Sequence, residues 1–305
     1  MRMRYIFIPA ICVLCFVLPF FIDAYLVHVF TSIMIFLSLS LSWDMMLRTG
    51  QLSFGIAGFF GLGAYASIIA VDDFSVHPML SIFVAAVFAA LVAFTLGWIV
   101  LRLREIYFAI TTLALSSVFM IFARNLSDLT GGSAGKVLYE SIFGGDPIKT
   151  YWLVLSVTLA VVLLSEIFQR SRIRFAINSI RDDEIAAKCS GVNIFKYLLF
   201  VFVLTSAIQG AVGALYAQQY AFVEPESTFS ANFLLLPMSM ALVGGIYSTI
   251  GPIIGALALG LASEYLKLLM PYGHLIIYGL ILIVTILFLP RGVYGTITEK
   301  MAKKR

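Results

Sequence analysis

The stretch "PMLSIFVAAVFAALVAFTLGWIVL", residues 78–101, decides the fold, because its 24 residues include no charged side chain. A helix needs roughly 17 to 25 mainly apolar residues to cross the hydrocarbon core of a bilayer. The whole chain shares this character. Of its 305 residues, 61% are hydrophobic and 12% are charged, whereas soluble domains carry about 25% charged residues. The sequence therefore predicts an integral membrane protein.

Apolar runs of similar length recur along the chain, and ten of them are candidate spans. They are Tyr5 to Ile22, Tyr25 to Trp43, Leu52 to Val71, Pro78 to Leu101, Ile106 to Ala123, Tyr151 to Phe168, Tyr197 to Ala217, Asn232 to Val243, Pro252 to Met270 and Leu275 to Pro290. We predict an all-α, polytopic transmembrane bundle of about ten spans, with residues 1–305 forming a single domain. The count changes if the segment from Gly244 to Gly255 is re-entrant.

The distribution of Lys and Arg predicts the orientation, because positively charged loops stay cytoplasmic. With the N-terminus inside, alternation through ten spans places 16 of the 20 Lys and Arg residues on one side. That side includes the segment 169–196 and a basic tail, 291–305. The opposite side carries more acidic than basic residues. We therefore expect both termini in the cytoplasm.

The segment 169–196 leaves the membrane for 28 residues, far more than a connection between antiparallel helices needs. Within "NSIRDDEIAAKCSG" (178–191), Ser179 and Asp182 match a capping box, and Gly191 stands where a glycine ends a helix. We therefore predict a capped cytoplasmic helix from Ile180 to Ser190.

The apolar residues of this helix do not form one stripe. On a helical wheel Ile185, Ala186 and Cys189 lie on one side, and Ile180 and Ala187 lie nearly opposite. Two apolar sides suggest two partners, the membrane domain on one side and a separate protein on the other. A solvated helix lying on the membrane surface is the alternative, and the residues alone leave both open.

Longer stretches resemble a known family. "SIRDDEIAAKCSGVNIFKYLLFVFVLTSAIQGAVGALYA" (179–217) resembles the cytoplasmic loop and following span of branched-chain amino-acid ABC transporter permeases, the LivM/LivH group. "GQLSFGIAGFFGLGAY" (50–65), "LTGGSAG" (129–135) and "GGIYSTIGPIIGA" (244–256) resemble three further segments of that family. The Thr-Gly-Gly in the outer loop favours the LivM branch.

The resemblance implies a multi-pass permease subunit of an ATP-driven importer in the cytoplasmic (inner) membrane, moving leucine, isoleucine and valine by alternating access. It implies four kinds of partner: the lipid bilayer, a second, LivH-like permease, two cytoplasmic ABC ATPases, and a periplasmic or other extracytoplasmic substrate-binding protein. Because relatives in this family carry urea, short amides or other amino acids, these substrates are alternatives to leucine, isoleucine and valine.

Carried over residue by residue, the resemblance assigns the ATPase-coupling role within 169–196 to Arg181, Asp182, Asp183, Glu184, Ala187 and Gly191. Lys188, Cys189 and Ser190 depart from the alanine-rich or acidic residues typical of the family at these positions.

Glycine-rich apolar segments recur in the two halves of the chain, at Gly50 to Gly63 and Gly244 to Gly255. Such interruptions point to a substrate path lined by broken helices. The path residues that this pattern suggests are Gln51, Ser53, Gly55, Thr111, Thr112, Gly244, Gly245, Gly251 and Pro252. Close helix packing explains each glycine equally well when it is taken singly.

Two pairs of opposite charges lie in or at the end of a predicted span: Asp44 with Arg48, and Glu264 with Lys267. An ionisable residue inside a membrane is a candidate for function, although simple pairing at the interface also explains both pairs. An ion-coupled transporter, the alternative to an importer subunit, usually has buried carboxylates in several spans, and Glu264 stands almost alone.

Other functional classes lack their sequence patterns. No G-x-x-x-x-G-K-[ST] nucleotide loop occurs, and His28, His77 and His274 are scattered. The net charge of +4 is spread over loop ends and forms no nucleic-acid patch. We therefore predict a protein that is not an enzyme, with no catalytic residue, metal ligand or cofactor.

Overall fold

The computed structural model describes residues 15–269, 279–280, 283–284, 287 and 292–302. The chain is mainly helical there. The helices are α1 (Ala24–Leu47), α2 (Ile56–Asp72), α3 (Pro78–Val100), α4 (Glu105–Asn125), α5 (Ser127–Thr130), α6 (Pro147–Arg170), α7 (Ile173–Asp182), α8 (Glu184–Cys189), α9 (Ile194–Tyr220), α10 (Pro225–Thr228), α11 (Asn232–Gly244), α12 (Ile250–Leu269) and α13 (Gly292–Ala302). Short 3₁₀ turns occupy Leu18–Phe20, Gly132–Ala134 and Ile142–Gly145. An antiparallel pair joins β1 (Lys136–Val137) to β2 (Phe222–Val223).

Among the described residues, six helical segments are long and apolar enough to cross a membrane. They are Ala24–Leu47, Pro78–Val100, Ile106–Asn125, Pro147–Arg170, Ile194–Tyr220 and Pro225–Gly244, the last joining α10 to α11. Helix α2 (Ile56–Asp72) and the stretch Ile250–Leu266 of α12 are apolar but shorter. The prediction of an all-α, polytopic bundle is confirmed, and the count of ten is not. The predicted spans from Tyr5 to Ile22 and from Leu275 to Pro290 lie largely outside the described residues.

Helix α9 lies at the centre of the bundle and packs along both α2 and α3. Its crossing with α2 brings backbone against backbone. A Cβ added at Gly63 would overlap the carbonyl oxygen of Gly210, and one added at Gly213 would overlap that of Phe60. Lipid tails are as apolar as the helices, so such close van der Waals packing replaces the hydrophobic effect as the force that associates them.

Helix α2 begins later than the sequence predicts. The apolar run starts at Leu52, but the helix starts at Ile56, and residues 51–55 are not helical. Side chains satisfy part of this backbone: Trp43 Nε1 donates to the Ser53 oxygen at 2.9 Å, and the Phe54 N–H donates to Thr112 Oγ1 at 2.9 Å. The first residues of this predicted span therefore belong to the irregular connection between α1 and α2.

The single helix predicted from Ile180 to Ser190 is wrong, because α7 and α8 meet at Asp183. The backbone of Asp183 is extended, and its carboxylate accepts the N–H groups of Ile185 and Ala186 at 2.9 and 3.0 Å. Aspartate caps helices as well as serine does. Ser179, the predicted cap, lies inside α7 instead, since the helical turns already begin at Ile173.

The crossing of α2 and α9 gives a test of the packing. Gly63→Ala should lower the free energy of unfolding in detergent by about 1–3 kcal/mol, because the backbones must separate. Gly97→Ala is the matched control, since its added methyl meets first the end of the Leu199 side chain, at 2.6 Å, which can rotate away. Equal losses in the two variants would contradict backbone packing at Gly63.

Candidate functional site

Helices α7 and α8 present two different faces. Ile177, Ile180 and Ala187 are buried, at 1%, 6% and 1% exposed. On the other side Ile185 is 77% exposed, and Ala186 and Cys189 are also exposed. The opposed faces read from the wheel are therefore present, although two helices carry them instead of one. The inner face packs on the bundle, and the outer face is exposed.

The acidic residues and the glycine of the predicted coupling segment lie around α8. Glu184, 25% exposed, forms an ion pair of 2.7 Å with Arg104, in the connection between α3 and α4. Asp182 and Asp183 are exposed. Gly191 has a φ of +80°, a conformation that favours glycine, and directly follows the last turn of α8 as predicted.

Arg181 turns away from the exposed face. Its guanidinium carbon lies 4.6 Å from the centre of the Tyr247 ring, a cation–π distance. A Cβ added at Gly50 would lie 3.3 Å from the Arg181 Cα. Arg181 therefore joins α7 to the starting residue of the first glycine-rich segment and to the middle of the second.

A buried ion pair lies beside this contact. Asp44 and Arg48, whose side chains are 0% and 6% exposed, pair at 2.7 Å. Asp44 Oδ1 also accepts the Tyr247 N–H at 2.6 Å, and Arg48 donates to Ser165 Oγ at 3.1 Å. Asp44 and Arg48 are four residues apart on one helix, so the sequence predicts that they pair. No sequence pattern predicts the contact of Asp44 with Tyr247, which lies 203 residues later.

The connection between α11 and α12, residues 245–249, is a hairpin that we call the broken hairpin. Tyr247 adopts a φ of +62°, unusual for a residue with a side chain. Thr249 donates from its N–H and its hydroxyl to Gln169 Oε1, at 3.3 and 3.1 Å. Its hydroxyl also lies 3.0 Å from Ser165 Oγ, so α6 holds this end of the hairpin.

The predicted path glycines of the second half pack this hairpin together. A Cβ added at Gly244 would overlap the oxygen of Gly251, and one added at Gly251 would overlap that of Gly245. Pro252 is buried in the first turn of α12. These residues bring the ends of α11 and α12 into backbone contact, a role that packing alone explains.

The path residues of the first half form a separate group. Gln51, Ser53 and Thr112 are buried, and Thr111 is half-buried on the same helix as Thr112. Gly55 packs on Thr112, at 3.4 Å from an added Cβ. The Gln51 Oε1 atom is buried without a hydrogen-bond partner among the described residues. A substrate path through the two groups stays a prediction.

The bundle has one cavity beside the site and another at its opposite end. One of about 230 Å³ lies under α7 and is lined in part by Arg48, Gln169, Arg174, Asn178, Arg181 and Tyr247. At the opposite end a cavity of about 510 Å³ is lined in part by Tyr216, Tyr220, Glu224, Glu226 and Glu264. Glu264 therefore faces an open space, while the side chain of Lys267 lies outside the described part of the chain.

Comparison with known proteins gives matches over most of the chain. A family model described as branched-chain amino acid transport system / permease component matches residues 25–286. The high-affinity branched-chain amino acid transport system permease protein LivM of Escherichia coli K12 is 27% identical over 317 residues, covering 94% of this chain and 74% of that protein.

Further relatives include the paralogous type. The corresponding LivH protein of Escherichia coli K12 is 27% identical over 271 residues, covering 81% of this chain and 86% of LivH. A probable LivM permease of Methanocaldococcus jannaschii is 24% identical and covers 69% of this chain. No solved structure matches the chain.

The ion pair beside the hairpin yields a prediction about stability. Asp44→Leu should cost about 3–5 kcal/mol, because it leaves the Arg48 charge buried without an anion. Adding Arg48→Met should recover most of that loss, with a remainder from the Tyr247 N–H, which keeps no acceptor. Unfolding in detergent measures both variants. A double variant no more stable than the single one would contradict a compensated buried charge.

Proposed function

Because the chain belongs to the branched-chain amino acid transport permease family, we propose that it is a permease subunit of an ATP-binding-cassette importer that passes leucine, isoleucine and valine. The family match over residues 25–286 carries this proposal. LivM and LivH of Escherichia coli are both named permeases of branched-chain amino acid transport. The apolar helices of the bundle supply the membrane-crossing part.

The proposed topology has about ten spans in the cytoplasmic membrane, with both termini, the loop 169–196 and the tail 291–305 in the cytoplasm. Contacts between loops support the grouping into two ends. The ion pair of Arg104 with Glu184 joins the α3–α4 connection to α8. At the other end, Lys136 pairs with Asp73 at 2.7 Å, and Arg124 pairs with Glu226. The first end is rich in arginine, as a cytoplasmic face should be.

The proposed partners are a second, LivH-like permease, two ABC ATPases and an extracytoplasmic substrate-binding protein. The match to both LivM and LivH supports a pairing of two related permeases. The exposed apolar face of α8, Ile185 with Ala186 and Cys189, supports docking of a cytoplasmic protein there. Small residues beside an exposed isoleucine allow close approach of a partner.

In this scheme ATP binding closes the ATPases, and their closure displaces α7 and α8. The coupling segment comprises Arg181, Asp182, Asp183, Glu184, Ala187 and Gly191. Ala187 anchors it to the bundle, and Glu184 connects it to the α3–α4 connection through Arg104. The displacement shifts the bundle between an outward-facing and an inward-facing arrangement. The permease binds and passes substrate, and the energy comes from its partners.

Two alternatives, a different substrate and ion coupling, are tested separately. Urea, short amides or other amino acids as substrates would show in binding measurements on the substrate-binding protein. Ion coupling would show as uptake that an uncoupler abolishes while ATP is held constant. Three glutamates, Glu224, Glu226 and Glu264, line the cavity of about 510 Å³. They are the observation that favours ion coupling, since carboxylates carry protons and cations in ion-coupled transporters.

The test of the proposal is reconstitution of the permease pair, ATPases and binding protein in liposomes. Uptake of labelled leucine should require ATP and every subunit, and it should survive an uncoupler. The matched control replaces the ATPases with forms that cannot hydrolyse ATP. Leucine uptake that persists without the ATPases would contradict an ATP-driven importer.

A further inference from the structure

Helix α7 and the broken hairpin meet through one side-chain pair. We propose that Arg181 and Tyr247 are the positioning residues through which a movement of α7 reaches the ends of α11 and α12. This inference rests on the proposed function, because it assumes that a partner moves α7. It assigns Arg181 an inward role within the bundle, whereas the coupling segment as a whole faces the partner.

The geometry of Arg181 suits a connecting role better than a docking one. Its side chain is 26% exposed, while that of its neighbour Asp182 is 68% exposed. The guanidinium lies over the Tyr247 ring at 4.6 Å and pairs with the Asp182 carboxylate at 3.0 Å. A planar guanidinium can stack on a ring and at the same time donate hydrogen bonds to a carboxylate at its edge, which a lysine ammonium does less well. The contact therefore has a defined orientation.

Tyr247 is held from two sides. Its ring contacts Arg181 of α7, and its backbone N–H donates to the Asp44 carboxylate of α1 at 2.6 Å. Its φ of +62° is a strained conformation that persists only where surrounding contacts impose it. Backbone strain of this kind clusters at active sites, ligand clamps and switch regions. Loss of either contact would let the backbone of Tyr247 relax.

The broken hairpin can transmit such a change because it is stiff. Gly244, Gly245 and Gly251 pack backbone on backbone, so a displacement at Tyr247 moves both helix ends together. The cavity of about 230 Å³ under α7 is lined by Arg181 and Tyr247 themselves. This space lets α7 shift towards α1 and α6 without first displacing packed side chains. The ion pair of Arg48 with Asp44 is the fixed point against which α7 moves.

The experiment uses the whole importer in liposomes and measures leucine taken up per ATP hydrolysed. Arg181→Gln and Tyr247→Leu remove the two halves of the contact. Tyr247→Phe keeps the aromatic ring and is the conservative control. Arg172→Gln removes an exposed positive charge at the start of α7 and controls for charge loss. Ratios are taken on intact complexes, so the yield of folded protein does not affect them.

Arg181→Gln and Tyr247→Leu should each lower the ratio about fivefold, the effect of losing a cation–π contact of about 1 kcal/mol. The double variant should be no worse than either single one, because both remove the same link. Tyr247→Phe and Arg172→Gln should keep the ratio of the unaltered protein. Purely structural damage would lower uptake and hydrolysis together and leave the ratio unchanged, which would overturn the inference.

Losses that add in the double variant would also overturn it, since the two residues would then act separately. Failure of the proposed function is a different result. In that case the unaltered importer would show no ATP-dependent leucine uptake at all. If the unaltered importer transports while all variants keep its ratio, the proposed function stands and the link between Arg181 and Tyr247 does not.

Discussion

The Asp44 carboxylate holds together parts of the chain that the sequence keeps far apart. It is fully buried, and it accepts hydrogen bonds from Arg48 and from the Tyr247 backbone. A buried charge needs a partner of opposite sign and satisfied lone pairs, or it costs several kcal/mol. Arg48 supplies the opposite charge, and the Tyr247 N–H of the broken hairpin donates to a further lone pair of the carboxylate. The hairpin, α1 and α6 are thereby fixed in one arrangement, and α7 rests against it.

The same need for satisfied polar groups applies to the two non-helical connections, residues 51–55 and 245–249. Buried backbone N–H and C=O groups outside helices need hydrogen-bond partners from elsewhere in the protein. Thr112 and Trp43 do so for residues 51–55, and Asp44 and Gln169 do so for the hairpin. Glycines then let these segments lie close to neighbouring backbone. Gly50, next to the first connection, and Tyr247, in the second, both lie against Arg181, so α7 packs beside both connections.

Much of the fold could be predicted from the sequence, because the length and hydropathy of an apolar run largely determine whether it forms a membrane-spanning helix. The apolar runs at Pro78 to Leu101 and Asn232 to Val243 became helices with nearly those bounds. The prediction of one capped helix was wrong because Ser179 and the three acidic residues after it offer competing caps, and the sequence does not show which one is used; in the structure Asp183 caps α8. The contacts of Asp44 and Arg181 with Tyr247 could not be predicted, since they depend on how distant helices meet.

Helices α7 and α8 have one face buried by the bundle and one face exposed. In the proposed importer an ATPase covers the exposed face from the cytoplasm. Cys189 lies exposed on that face and is a free thiol. With Cys12 and Cys15 replaced by serine, a membrane-impermeant maleimide should label Cys189 in inside-out vesicles. Bound ATPases should protect it from the label. Labelling only from the extracytoplasmic side, or labelling that the ATPases leave unchanged, would contradict the account.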